Sequence, residues 1–480
     1  MVQKSGIQIS QRMFIQSLVI LFFLMLAAGV LTRLVPAGAY ARLEIDGRET
    51  IDPASFQFTP RPDYPIWRWF LAPLEVLAAP GNLTIIVIII FLLFVGGSFA
   101  ILEKSGILHA AIARIIARFG ARKYLLMLVI AFMFMTLGAF FGIFEEVVPL
   151  VPVIIALSYS LGWDALTGLG MSILAVNLGF SVAITNPFTI GVAQNLAGLP
   201  LFSGAGLRLV IFLVIYAIFA FFLTAYSKRI ERNPQASPIH GEDQSERDRY
   251  RGFHAAVQDH PKLAAALAWF GAWMMLILIM LFAGPFIPAI ADFALPVVGL
   301  LFLIAGIGAG LVAGAGRRVW AALLVGVRGI LPAIPLILMA VSIKHIVVQG
   351  GILDTILHWA SEPFSSASPF AASLAIYSLA LVIEFFIASG SAKAFLLMPI
   401  LLPLADLIGV TRQVTVLAYC FGDGFSNLMY PTNPVLLICL GLAAVSYPRW
   451  LKWSLPLWIA VIAVTVVFLG VAVAIQYGPF

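Results

Sequence analysis

The run CFGDGFSNLMYPTNPVLLICLGLAA, residues 420–444, reads as a membrane helix broken in its middle by Tyr430-Pro431-Thr432-Asn433-Pro434. Proline removes a backbone N–H, and its ring clashes with the carbonyl four residues earlier. It also biases the preceding residue, here Asn433, away from helical angles. Lipid offers no hydrogen bonds, so the freed carbonyls need partners within the protein or a bound ion. The same break recurs at Ala183-Ile184-Thr185-Asn186-Pro187. One such motif alone is most simply a kink repaired by neighbouring hydroxyls. Two in matching surroundings point to a site. There the carbonyls and the Thr185, Asn186, Thr432 and Asn433 side chains face an ion, and the half-helices opened by Pro187 and Pro434 turn their N-terminal ends to an anionic group.

Composition sets the class. Of 480 residues, 62% are hydrophobic and 10% charged, where a soluble domain carries about 25% charged residues. The chain reads as an all-α, multi-span integral membrane protein. The net charge of +6 comes from Lys and Arg in short loops and at helix ends. There they set topology and are no sign of nucleic-acid binding. Cys420 and Cys439 lack metal-ligand spacing and read as small buried hydrophobes. The sequence offers no phosphate loop, no metal-spaced His/Cys set and no Ser/His/Asp arrangement, which speaks against an enzyme and against a self-contained ATP-driven pump. No cofactor is expected beyond a coupling sodium ion or proton.

The apolar runs 13–36, 82–104, 206–227, 263–287, 292–313, 329–348 and 451–476 are each long enough to cross a bilayer. No cleavage-site pattern follows the first, which reads as a span rather than a signal peptide. Regions 123–161 and 369–408 are about twice the length of one span. Each carries small or charged residues at its middle, GAFFGIFEEV (138–147) and FFIASGSAKAF (385–395), and each reads as a re-entrant hairpin with a polar tip. The broken helices 164–198 and 411–447 follow them. The amphipathic stretches 107–119 and 352–364 precede them and read as helices lying on the membrane surface. Residues 1–81 comprise the first span and an external loop, and 228–262 form a polar, mobile linker. Trp163, Trp450 and Trp453 read as interface anchors. Lys and Arg gather before the first span, after the second, in the linker, at 317–318 and at 449–452. The positive-inside rule then places the N-terminus in the cytoplasm and the C-terminus outside.

The chain repeats itself. Asn186 and Asn433 lie 433 − 186 = 247 positions apart, and the same offset pairs Pro152 with Pro399, Leu157 with Leu404, Gly162 with Gly409 and Ala197 with Ala444. Upstream, Gly106-Ile107-Leu108 matches Gly351-Ile352-Leu353. Each copy, 82–227 and 329–476, holds a span, a surface helix, a hairpin, a broken helix and a span. Residues 263–328 supply linking and scaffold spans between them. The odd crossing 263–287 inverts the second copy, and inverted repeats with broken helices are the architecture of secondary transporters, with the site at the midplane.

Glu145 and Glu146 stand at the first tip, where a charge costs at least about 2.5–3.5 kcal/mol and is a functional candidate by default. At the second tip, Ser389, Gly390 and Ser391 offer hydroxyls and open backbone that could hold an ion or a carboxylate. Lys393 falls opposite Glu146 at the 247 offset, so the two could pair across the site. Asp423 and Glu384 are the other intramembrane acids, Asp423 a candidate to take a proton or ion. Asn177 and Asn427 are further polar contacts.

IGVTRQVTVLAYCFGDGFSNLMYPTNPVLL (408–437) resembles the YfcC family within the DcuC-like C4-dicarboxylate carriers, and GIFEEVVPLVPVIIAL (142–157) and GLPLFSGAGLRLVIF (198–212) look like the same family's first hairpin and fourth span. The resemblance, from about residue 13 to 476, places the chain in the ion transporter superfamily. It implies a homodimer in a bacterial inner membrane, with a scaffold and an elevator-like transport domain. It also implies a substrate and sodium held between the tips and the unwound helices, which here are 142–146 with 185–187 and 389–391 with 432–434. Superfamily dicarboxylate carriers show Ser-Asn-Thr at both tips; this chain has Phe144-Glu145-Glu146 and Ser389-Gly390-Ser391. Acids at one tip, and no arginine at either to clamp two carboxylates, lead to an ion-coupled symporter or antiporter of a basic amino acid such as arginine or ornithine. A sodium- or proton-coupled carrier of C4-dicarboxylates or other carboxylates is the alternative.

Overall fold

The computed structural model describes residues 11–45, 48–79, 82–243, 261–283, 294–361 and 367–478. It is almost wholly helical, and among these residues ten helices are long and apolar enough to cross a membrane.

The chain opens with α1 (Gln11–Leu34). Two short antiparallel ladders follow, β1 (Gly38–Ala39) with β4 (Gln57–Phe58) and β2 (Arg42–Ile45) with β3 (Arg48–Ile51). Strands of two to four residues are too short to show a period in the sequence. Next come α2 (Ile66–Glu75), entered through Pro65, and α3 (Asn82–Lys104). The first hairpin is α4 (Ile107–Phe119) leading into α5 (Lys123–Phe141), a 3-10 turn at Glu145–Leu150, and α6 (Val151–Ser160). The first broken helix is α7 (Ala165–Leu169), a π turn, α8 (Ala175–Val182), the break, a second π turn at Pro187–Gly191, and α9 (Val192–Leu196). The long α10 (Ala205–Arg232) closes this half.

The second half runs through α11 (Pro261–Ala283), α12 (Ala294–Val312), α13 (Arg318–Ile330), α14 (Ala333–Gln349) and α15 (Leu353–Ser361). Its hairpin is α16 (Pro369–Glu384) and α17 (Gly390–Ile408). Its broken helix is α18 (Arg412–Phe425) and α19 (Pro434–Ala443), and α20 (Tyr447–Ala474) ends it.

Packing sorts these helices into two groups, which meet where α14 lies against α19 and where the Glu145–Leu150 turn lies against α12. In one, α3 lies against α12 and α13, α11 against α12, and α1 and α2 against α14. In the other, α8 lies along α5, α18 along α16 and α17, and α8 crosses α18, with α10 against α20. The crossing is tight, since a Cβ on Gly424 would lie 2.3 Å from Ser181 Cα. Residues 165–184 of the first broken helix are all buried, while Thr185, Pro187 and Phe188 at its break are only partly covered.

Three sequence expectations change. Trp163, Trp450 and Trp453 are buried at 1%, 0% and 5% exposure, so they brace the interior rather than anchor a lipid interface. The helix expected to lie on the surface at 107–119 buries Ile107, Leu108, Ala110 and Ile112 and packs on α3, α6 and α11. The start of the linker is docked. Ser237 donates to Asp164 Oδ2 at 2.6 Å, and Arg449 meets Glu242 at 2.6 Å. The rest of the expected mobile linker lies largely outside the described residues.

Candidate functional site

The first tip and the first break are one structure. Gly142 ends α5 with φ of +67°, and a Cβ there would lie 2.2 Å from Asn186 Oδ1. Glycine is the residue that adopts this angle without cost. Thr185 fastens the break to the end of α5, its N–H donating to Ala139 O at 3.1 Å and its hydroxyl to Phe140 O at 2.9 Å. Glu145 and Glu146 open the 3-10 turn, both half-buried. Glu146 Oε2 accepts from the Phe144 N–H at 3.1 Å. Among the described residues neither acid has a cationic partner.

The two Asn-Pro steps are used in the same way. Asn186 Oδ1 accepts from the N–H groups of Phe188 and Thr189 at 2.9 and 3.3 Å, and Asn433 Oδ1 from those of Val435 and Leu436 at 2.9 and 3.4 Å. Each asparagine therefore caps the half-helix that its own proline opens. Asn433 Nδ2 also donates to Asn427 Oδ1 at 3.3 Å.

Several carbonyls freed by the breaks have protein partners. Arg208 Nε and Nη2 donate to Ile184 O at 3.2 and 2.9 Å. Trp450 Nε1 donates to Leu428 O at 2.8 Å, and the Tyr447 hydroxyl to Met429 O at 2.6 Å. The sequence did not single out Arg208. It stands near the start of α10 and is 1% exposed, and its remaining donors go to Phe202 O, Ser203 O and the Tyr477 hydroxyl. Open polar atoms remain. The hydroxyls of Thr189 and Thr432 and both side-chain atoms of Asn177 are buried without a hydrogen-bond partner among the described residues.

At the second tip, Ser389 is exposed and Ser391 half-buried, and Gly390 O accepts from the Tyr419 hydroxyl. A Cβ on Gly390 would lie 2.5 Å from Thr189 Cγ2 and 2.9 Å from Asp423 Oδ2. The second tip is thus pressed between the first break and α18. In the complementary contact, the 3-10 turn that carries Glu145 and Glu146 packs against α19, which follows the second break. Each of the four pieces singled out in the sequence thus contacts at least one of the others.

Lys393 corrects an expectation. It does not reach Glu146. Its ammonium touches Glu384 and lies 2.6 Å from Asp423 Oδ1, with all three side chains buried. Glu384 ends one arm of its own hairpin and Asp423 lies on the neighbouring α18, so both are nearer than the opposite tip. Among the described residues there is no group of three His, Cys, Asp or Glu side chains that could hold a metal ion.

The family described as DcuC, C4-dicarboxylate anaerobic carrier, matches residues 14–474. The chain belongs to the DcuC family. A DcuC-family chain is a transporter and not an enzyme. The chain is 31% identical, over 91% of its length and 92% of the other's, to an Escherichia coli K12 protein named "Putative basic amino acid antiporter YfcC". It is 24% identical to an uncharacterized protein of Haemophilus influenzae, over 78% of this chain and 73% of that one. Two solved structures align along its length. The Alcanivorax borkumensis YdaH transporter covers 96% of this chain and 99% of that one, at 18% identity and a TM-score of 0.43. Neisseria gonorrhoeae MtrF covers 95% of each, at 17% identity and a TM-score of 0.44.

Proposed function

We propose that this DcuC-family carrier is an ion-coupled secondary transporter of a basic amino acid such as arginine or ornithine. One observation carries the reading. The first tip presents Glu145 and Glu146 with no cationic partner among the described residues, while the lysine at the second tip is held by Glu384 and Asp423. The charge offered to a solute between the tips is negative. A guanidinium or ammonium satisfies it with charge-assisted hydrogen bonds. The substrate lies among Gly142, Glu145, Glu146, Thr185, Asn186 and Pro187 on one side and Ser389, Gly390, Ser391, Thr432, Asn433 and Pro434 on the other. Asn177 and Asn427 lie behind them. The name of the E. coli relative supports the same class.

The carrier works as an inverted repeat that alternates access by moving its hairpins and broken helices against the outer group of spans, as one protomer of a dimer in a bacterial inner membrane with its N-terminus inside. Support comes from matched backbone. Gly106 and its partner Gly351 have φ of +77° and +70°, and Gly162 and its partner Gly409 have φ of +91° and +81°. The identical capping by Asn186 and Asn433 points the same way.

The second reading, a carboxylate carrier, is favoured by the family description and by the open hydroxyls of Ser389 and Ser391. Uptake of labelled arginine, ornithine and succinate into proteoliposomes preloaded with each unlabelled solute separates the two. The proposal predicts exchange of arginine and ornithine. Exchange of succinate alone would transfer the assignment to the second reading.

A further inference from the structure

The reading above leaves unused the one ionised cluster that lies behind the second tip. Glu384 ends α16, Lys393 lies in the first turn of α17, and Asp423 lies near the end of α18, so three helices deliver them to one point. Their side chains are 1%, 0% and 0% exposed. Among the described residues, no group donates a hydrogen bond to either carboxylate, and the Lys393 ammonium is the partner both acids meet.

Two carboxylates and one ammonium leave one negative charge uncompensated. An unpaired ion in a protein interior costs several kcal/mol. The neighbouring groups are occupied or neutral. Tyr419 on α18 donates to Gly390 O, and Tyr377 on α16 shares a hydrogen bond with Thr465 on α20. Cys420, three residues before Asp423 on α18, is a buried free thiol. The point where the two acids converge is where a sodium ion would sit, and the compact, three-donor ammonium of Lys393 already fills it.

We infer that Glu384, Lys393 and Asp423 are the coupling site, in which a resident ammonium replaces sodium and the two acids share one exchangeable proton. A proton from the aqueous side adds to a carboxylate oxygen and takes the cluster from one net negative charge to none; the same proton leaves on the other side. Gly390 links this site to transport, since it is wedged so closely that an added Cβ would meet both Asp423 and Thr189 of the first break. The inference rests on the family's carrier activity and not on the choice of substrate.

The test uses the purified full chain and needs no substrate. Infrared difference spectra between alkaline and acid buffer are recorded for the carbonyl stretch of a buried protonated carboxylic acid. Every spectrum is recorded in a Glu145→Gln/Glu146→Gln background, which removes the unpaired acids of the first tip, and the band is expected in that background. It is expected to vanish in both Glu384→Gln and Asp423→Asn, because one acid with one lysine is already neutral. Lys393→Met, which leaves two acids and no cation, is expected to about double it. Thermal melting is expected to be the same in sodium chloride and choline chloride for wild type. Survival of the band in both single-acid variants, or a sodium-dependent rise in wild-type melting temperature, overturns the inference. If one acid variant does not purify as a single species, the other decides. Arginine exchange is read in parallel. Its absence beside the expected infrared pattern removes the substrate reading and leaves the coupling site standing.

Discussion

Gly142 and Asn186 share one corner of the fold, where the space a side chain on Gly142 would need is filled by Asn186 Oδ1, 2.2 Å from an added Cβ. The contact joins the acidic tip to the first break. Gly142→Ala must bear a left-handed angle, which costs about 1–2 kcal/mol, and must also push the cap away. The expected outcome is a lower melting temperature and solute exchange reduced about tenfold, the rate effect of roughly 1.4 kcal/mol. Wild-type exchange in this variant would mean that the tip and the break move independently.

The caps separate structure from transport. Asn186→Ala and Asn433→Ala each remove an N-cap acceptor, worth about 1 kcal/mol. Both variants should melt earlier, and by similar amounts. Asn→Ser at either position restores a capping oxygen and should recover most of the stability. If exchange recovers with it, the asparagines act through the caps. If exchange stays low, they meet the solute as well.

Arg208 holds Ile184 O at the first break together with Phe202 O and Ser203 O. Lysine cannot reproduce this five-donor fork. Hydrogen bonds from a charged group contribute about 1.5–3 kcal/mol each, so Arg208→Lys should destabilise markedly. Melting in detergent checks this. A variant as stable as wild type would show that the break does not depend on the guanidinium.

Outside the spans, Glu75 ties α2 to α14. It accepts from Arg68 Nε at 2.7 Å and meets His345 Nε2 at 3.1 Å. Burial pushes its carboxyl up, but the hydrogen bonds from Arg68 and His345 outweigh this and hold it below the usual carboxylate range. A carboxyl lowered in the folded state stabilises above its unfolded value, and the contribution is lost as pH falls through the folded one. Hydrogen exchange in α2 should therefore quicken in acid, and Glu75→Gln should remove that pH dependence. Pairing this exposed is screened by water, so the effect is local.

The breaks and hairpin tips were legible because proline and charge in an apolar run have few innocent explanations, and the 247 offset is written in the letters themselves. The partners were not. Lys393 was set against Glu146 by the repeat alignment, but a lysine in the first turn of a hairpin arm pairs with the acids its own helices bring close, Glu384 and Asp423. Arg208 carries no signal in the sequence, which gives depth along a span but not which carbonyls a broken neighbour has freed. Trp450 looked like a lipid anchor for the same reason, whereas its indole N–H repairs Leu428 O. Asn186 and Asn433 read as ligands in the sequence, and the sequence does not show that their side-chain oxygens also cap the half-helices after them.

The central claim is that Glu145 and Glu146 receive the cationic end of the solute. It is tested most directly by the concentration dependence of arginine exchange in proteoliposomes carrying wild type, Glu145→Gln, Glu146→Gln or, as a control, Asp63→Asn in the exposed segment before α2. The account predicts that each glutamine variant needs at least about tenfold more arginine for half-maximal exchange, the loss of roughly 1.4 kcal/mol, while Asp63→Asn matches wild type. Unchanged arginine dependence in both glutamine variants would contradict it.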